Sequence, residues 1–412
     1  MNLQDFLSVR SSKARTLDHI RALYRQLGNP QDSMLCVQVA GTNAKGSTSA
    51  MLSMILRKAG YKTGLYTSPA LSKANERMRT DGVMISDEEL LECALLVEAA
   101  EQALGRTFGG FDRMTACALL AYQKQNVQVA VLETGLGGLL DPVTAVDARL
   151  NFITSISMDH MQILGNTIEE IANQKCGSLK PGVPVISHPQ VPSVERLIAL
   201  YAEALGCPLT VVNPEDIHDV EVGEGLQTMS YHGYRVAMQL LGPHQRVNAA
   251  AAIEGALALR AQGLAISDEH IVDGLAATHW SCRLEMVKGF LLDGAHNEDA
   301  MRVLRASLAE CYPNKRPILM LAVMQDKDIA GIAKVVATFV HECVCVKINE
   351  RSADAEALAG LLRERGVSAV PAGSVTEGLK LLNDMRNGDT IAVVAGSLYL
   401  TGAVKDILLS DS

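Results

Sequence analysis

The chain has 412 residues, 48% of them hydrophobic and 20% charged, with a formal net charge of −9. That length exceeds what a single core supports, roughly 250–300 residues, so two domains are expected. The acidic balance argues against a nucleic-acid partner, and the lack of any run of about 18 apolar residues argues against a membrane span. The opening MNLQDFLSVRSSKAR has no apolar core of the kind a secretion signal needs, so a cytoplasmic protein is expected. Nine scattered cysteines without a C-x-x-C pair read as free, buried thiols; Cys343 and Cys345 alternate in an apolar run and are expected on one strand face.

In chain order, the first informative stretch is Val39-Ala40-Gly41-Thr42-Asn43-Ala44-Lys45-Gly46-Ser47-Thr48. An apolar run over 34–39 predicts a short buried strand before it, and the apolar spacing over 49–59 predicts a helix after it. A helix N-terminus offers free N–H groups and the positive end of a dipole, which together suit a polyphosphate. Lys45, read as a solvated loop lysine, reaches toward β/γ-phosphates, and Ser47 or Thr48 toward Mg²⁺. The strict G-x-x-x-x-G-K-[ST] pattern is not met, since Val39 and Ala44 stand at its glycine positions. Taken alone, the stretch also fits an ordinary strand–helix turn. An alanine at 44 is expected to have φ < 0.

Further along, helical patterns over 87–103, 114–125 and 167–176 alternate with apolar strand-like runs over 127–132, 151–156 and 183–187. The first of these runs ends at Glu133 and the second just before Asp159-His160. Between 207 and 241 the texture becomes polar and glycine-interrupted, predicting a small antiparallel excursion; 243–260 is helical and 278–282 reads as a junction. Alternation restarts from Gly289, with strands expected over 290–293, 318–323, 342–347 and 390–394. The fold class is therefore α/β: a P-loop-type, mainly parallel sheet domain over 1–280, then a smaller Rossmann-like α/β domain over 281–412. In such sheets ligands sit at the carboxyl ends of the strands, where the 41–48 loop, Glu133 and His160 all fall.

An ordered set of segments resembles the folylpolyglutamate synthase/dihydrofolate synthase family of the Mur ligase superfamily. It includes Leu27-Gly28-Asn29-Pro30, the 41–48 loop, Thr67-Ser68-Pro69, Glu133-Thr134-Gly135-Leu136-Gly137-Gly138, Asp159-His160, Lys175, His244-Gln245 with Asn248, Arg283, Asp293-Gly294-Ala295-His296-Asn297, Asp326-Lys327-Asp328 and Gly396-Ser397-Leu398-Tyr399. The resemblance implies an ATP- and Mg²⁺-dependent amide ligase joining L-glutamate to tetrahydrofolate or dihydropteroate through an acyl phosphate, working as a monomer. It implies Lys45, Lys175 and His296 as catalytic residues, with Lys175 carbamylated. Nucleotide contacts would come from the 41–48 loop, Asn248, Arg283 and Asp293. Metal ligands would be Ser47, Ser68 and Glu133 for one Mg²⁺ and His160 for a second. Several positions depart from the family pattern: Ala70 for histidine, Leu139 for arginine, Pro142-Val143-Thr144 for Ala-Thr-Asn, Met161 for threonine, Gln174 for glutamate and Glu298 for proline. These leave two other readings open, a ligase acting on a different carboxylate and a nucleotide-binding protein without ligase activity.

Overall fold

The computed structural model describes Phe6 and residues 16–410. Strands β1 (Leu35–Ala40), β2 (Thr63–Tyr66), β3 (Met78–Thr80), β4 (Val83–Met84), β5 (Val129–Glu133), β6 (Ala148–Ile153), β7 (Val185–Ser187) and β8 (Leu209–Val211) form one sheet in the order β4-β3-β2-β5-β1-β6-β7-β8. All neighbours pair in parallel except β2 with β3 and β3 with β4. Strands β1 and β5 are buried along nearly their whole length and are apolar apart from Gln38, which bonds Thr144, and the terminal Glu133. The excursion predicted over 207–241 starts later than expected. Leu209–Val211 is the edge strand of the main sheet, and the antiparallel meander is β9 (His218–Gly223), β10 (Leu226–Tyr231) and β11 (Tyr234–Met238). Its apolar face, Met229, Tyr231, Val236 and Met238, joins the same core as the Lys45–Lys58 and Pro243–Ala261 helices.

A second sheet contains β12 (Glu285–Val287), β13 (Phe290–Leu292), β14 (Arg316–Leu321), β15 (Glu342–Val346), β16 (Ser368–Ala372) and β17 (Thr390–Ala395). Its order is β12-β13-β17-β14-β15-β16, parallel save for the β12–β13 hairpin. Cys343 and Cys345 share one buried face of β15, their sulfurs 4.0 Å apart. The carboxyl ends of β1, β5, β6 and β7 and those of β13, β14 and β17 line a single cavity of about 660 Å³. Among the described residues no helix is long and apolar enough to cross a membrane.

Candidate active site

The loop after β1 is shaped by close packing. Gly41 has φ +155°, and a Cβ there would lie 1.8 Å from Thr154 Oγ1, so only glycine fits. Thr154 Oγ1 donates to the Asn43 carbonyl at 2.7 Å and fixes the turn. The helix starts at Lys45, a turn earlier than the apolar spacing suggested, because Gly46 and Ser47 are small enough to be packed helix rather than breakers. Ala44, at the N-cap, has φ +70° and ψ −12°, so the expectation of a negative φ does not hold. It also offers no side-chain oxygen to the first N–H groups of the helix, which are left for an anion.

Lys45 is not a solvated lysine. Its side chain is only 14% exposed, its Nζ donates to the Thr42 carbonyl at 3.1 Å, and it lies 3.6 Å from Glu133 Oε1. Glu133 ends β5 and is buried; its Oε2 accepts the Ser68 N–H at 3.1 Å. Burial raises the Glu133 carboxyl, and Lys45 is the main opposing charge. Ser47 is buried, with the Gln245 amide 3.5 Å from its hydroxyl, and Gln245 in turn accepts from Asn248 at 2.8 Å. Thr48 Oγ1 is buried without a hydrogen-bond partner. The buried Glu133 carboxylate, with Ser47 and Ser68 lining the same cavity, supplies hard oxygens of the kind Mg²⁺ takes.

Lys175 lies in the last turn of the Ile168–Cys176 helix, whose start is fixed by a Thr167–Glu170 capping box. The glycine run before it packs hard against this helix: a Cβ on Gly138 would meet the Lys175 carbonyl at 2.8 Å. Lys175 Nζ is buried and donates to the Gly41 carbonyl at 2.6 Å. Burial, then the charge of Lys45, pushes its ammonium down to about 7.

The second sheet supplies the opposite wall. Asp293, after β13, accepts N–H groups from Ala295 at 2.9 Å and Leu284 at 3.1 Å. Arg283 lies against Gly294, where a Cβ would be 2.2 Å from its Nη1, and it faces both Asp293 and Glu133 electrostatically. His296 sets Nδ1 on the Gly294 carbonyl at 2.9 Å and Nε2 3.5 Å from Asp159 Oδ2. His160 is placed differently from an ordinary metal ligand. Its Nε2 is 3.3 Å from Lys327 Nζ, its Nδ1 is 3.8 Å from Asp326, and burial together with Lys327 lowers its pKa. With an ammonium already on that nitrogen, the donor set around His160 does not fit a second Mg²⁺ in this arrangement. Among the described residues no group of three or more His, Cys, Asp or Glu side chains has a metal-binding layout.

Lys45, Lys175, His296, Ser47, Ser68, Glu133, His160, Asn248, Arg283 and Asp293 thus all line the same cavity; Thr48 is fully buried and does not. Sequence reasoning gave no role to Asp159, Lys327, Gln245 or His188. Asp159 is 7% exposed, and although burial opposes it, the hydrogen bond from His296 and the charge of Lys327 hold its carboxyl well below the usual range. His188 follows β7, with a buried Nε2 lacking a partner. Asp159, Gln245 and Lys327 fall within the ordered motifs, which mark the positions but not what they contact; His188 falls in none of them.

Residues 39–256 match the Mur ligase middle domain and residues 282–398 the Mur ligase glutamate ligase domain. A Bacillus subtilis protein named dihydrofolate synthase/folylpolyglutamate synthase is 33% identical, covering 94% of both chains. The Lacticaseibacillus casei folylpolyglutamate synthase is 31% identical, covering 96% of this chain and 95% of its own. Among solved structures, the Mycobacterium tuberculosis folylpolyglutamate synthase complexed with ADP superposes with a TM-score of 0.91 at 26% identity, covering 98% of this chain and 97% of that one. An E. coli FolC in complex with DHPP and ADP gives 0.88 at 28% identity, covering 100% and 98%. The chain belongs to the Mur ligase family, among the folylpolyglutamate and dihydrofolate synthases.

Proposed function

We propose that this chain is an ATP-dependent amide ligase that adds L-glutamate to a folate acceptor, dihydropteroate or tetrahydrofolate. The observation that carries this reading is the meeting of a buried Lys45–Glu133–Ser68 group under the first turn of a loop-capped helix with Arg283, Asp293 and His296 from the second sheet. In the first step an acceptor carboxylate oxygen attacks the γ-phosphorus and ADP leaves, giving an acyl phosphate. In the second, the glutamate amine attacks the acyl carbon, phosphate leaves, and the nitrogen loses a proton. Both steps are governed by positioning and by neutralising phosphoryl oxygens.

The 41–48 loop N–H groups and Lys45 would hold the β/γ-phosphates, while Asn248, Arg283 and Asp293 would contact the rest of the nucleotide. Ser47, Ser68 and Glu133 would hold Mg²⁺, which when bound neutralises charge on the transferring phosphoryl group. Lys175 would be carbamylated: a buried amine with its pKa near 7 is neutral often enough to take up CO₂, and the resulting anion orients cationic groups near the phosphates. His296 would face the transferring phosphoryl group when the walls close. No step is assigned to a second metal at His160. The catalytic unit is one chain, with the parts 1–280 and 281–412 moving against each other, and its nine free cysteines suit a reducing cytoplasm.

The test is ADP release from Mg-ATP with glutamate, comparing dihydropteroate, tetrahydrofolate and no acceptor. Turnover that depends on a folate acceptor is expected. One observation favours a second reading, a different carboxylate acceptor: Leu139, Leu140 and Ile163 are exposed on segments beside the cavity, at 43%, 45% and 67%, where an anionic substrate would want cations. Turnover with another acid and none with either folate would support it.

A further inference from the structure

Asp159 is a single carboxylate on the first domain that holds three groups of the second. Lys327 Nζ lies 2.5 Å from its Oδ1, and Asn297 Nδ2 and His296 Nε2 lie 3.3 and 3.5 Å from its Oδ2. Those groups come from two separate loops, after β13 and after β14. The Asp159–Lys327 pair is dry on both sides, with side chains 6% and 8% exposed. Asp159 is also tied back to its own domain, since its Oδ1 accepts the His160 N–H at 2.8 Å.

The segment leading to Asp159 is stitched to the phosphate loop. The Ser155 carbonyl accepts the N–H groups of Thr42 and Asn43 at 2.9 and 3.1 Å. Thr42 Oγ1 donates to the Ser157 carbonyl at 3.2 Å, and Asn43 Nδ2 donates to Ser157 Oγ at 3.1 Å. Asn43 Oδ1 in addition accepts from Asn297 Nδ2 at 3.1 Å, and Asn43 Nδ2 donates to Asp299 Oδ2 at 3.1 Å, both in the second domain. The loop expected to hold phosphates therefore meets the groups expected to cover them in two ways, directly through Asn43 and through Asp159, which lies two residues beyond the Ser157 that the loop holds.

We propose that Asp159 is a positioning residue: it seats Lys327, His296 and Asn297 over the phosphate loop and so sets the closed arrangement in which ligation occurs. This rests on the ligase reading and names the carboxylate through which the two domains act as one site. A polar, buried contact suits that task better than an apolar one, because a charge pair fixes orientation and breaks cleanly when the domains separate.

The test uses the full chain with D159N, which keeps shape and removes the charge, K327M, and the double variant. The expected result is at least a tenfold fall in kcat for D159N with the KM for ATP within twofold. The double variant should fall no more than twofold below the worse single variant, because both substitutions remove the same pair. Wild-type kcat in D159N, or losses that multiply in the double variant, would overturn the proposal. Amide hydrogen exchange without any substrate supplies the second readout: residues 294–299 and 324–328 should exchange at least tenfold faster in D159N, and unchanged exchange there would also overturn it. Should D159N not fold, K327M gives the same exchange readout from the other side of the pair. If wild-type protein turned over no folate while D159N still loosened those loops, the ligase reading would fail and the positioning role would stand.

Discussion

At the scale of single residues, the phosphate loop carries two features that composition alone would hide. Ala44 sits in the left-handed region, at φ +70°, where a Cβ crowds the backbone. Ala44→Gly is expected to raise unfolding free energy by about 0.5–1 kcal/mol, the relief of strain outweighing the entropy of the unfolded glycine. A urea titration that shows no gain would mean the loop has already absorbed the strain. Lys45→Ala is expected to abolish turnover, and it should also destabilise the protein by about 1–3 kcal/mol at neutral pH, since it leaves Glu133 buried without its ammonium. The sign with pH follows from Glu133. Its carboxyl is already raised by burial and would rise further without Lys45, so the deficit of the variant should shrink as pH falls and the carboxyl takes a proton. Parallel denaturant titrations at neutral and acid pH check this, and a deficit independent of pH would assign the loss to packing.

At the scale of elements, the Ile168–Cys176 helix delivers Lys175 under the phosphate loop, and its burial sets a pH dependence. Neutral amine is the form that takes up CO₂, and its fraction grows as pH rises through about 7. Turnover should therefore rise with pH across that point and rise with added bicarbonate, while Lys175→Arg, which stays cationic, should lower kcat by about 10–100-fold. Turnover indifferent to bicarbonate, with an unmodified Lys175 in the intact-protein mass, would remove carbamylation. Much of this architecture was legible: β1 and β5 are buried on both faces, so their apolar runs announce themselves; the first was expected over 34–39 and is Leu35–Ala40, and the second ends at Glu133 as expected. Strands β2 and β3 were not: Thr-Gly-Leu-Tyr and Met-Arg-Thr are short and mix polar residues and a glycine with the apolar ones, unlike the equally short but apolar β13. The residue types at the site were legible through ordered motifs. Their pairing was not: Asp159 and Lys327 are 168 positions apart, and only the folded chain shows that a lysine takes the nitrogen of His160.

At the scale of the whole molecule, two histidines, His188 buried and His244 half-buried, make the fold sensitive to acid. His188, at the end of β7, and His244, at the start of the Pro243–Ala261 helix, line the cavity between the sheets. Burial alone pushes His188 down to about 4, and burial, then Arg283 and Arg246, pushes His244 down to about 3. An unfolded chain would bind protons at both sites below its ordinary histidine value near 6.5, while the folded chain would not until pH 4 or lower. Between those limits the unfolded state holds more protons, so stability falls as pH falls, by about 1.4 kcal/mol per pH unit for each histidine. Above pH 6.5 both states are neutral at these positions and the dependence vanishes. His188→Gln should therefore flatten the stability profile between pH 6.5 and 4 by one proton, leaving it parallel to wild type above pH 7. Denaturant titrations across that range read the slope directly. A variant whose profile stays parallel to wild type throughout would mean that His188 takes a proton in the folded protein too, held there by a partner for its Nε2.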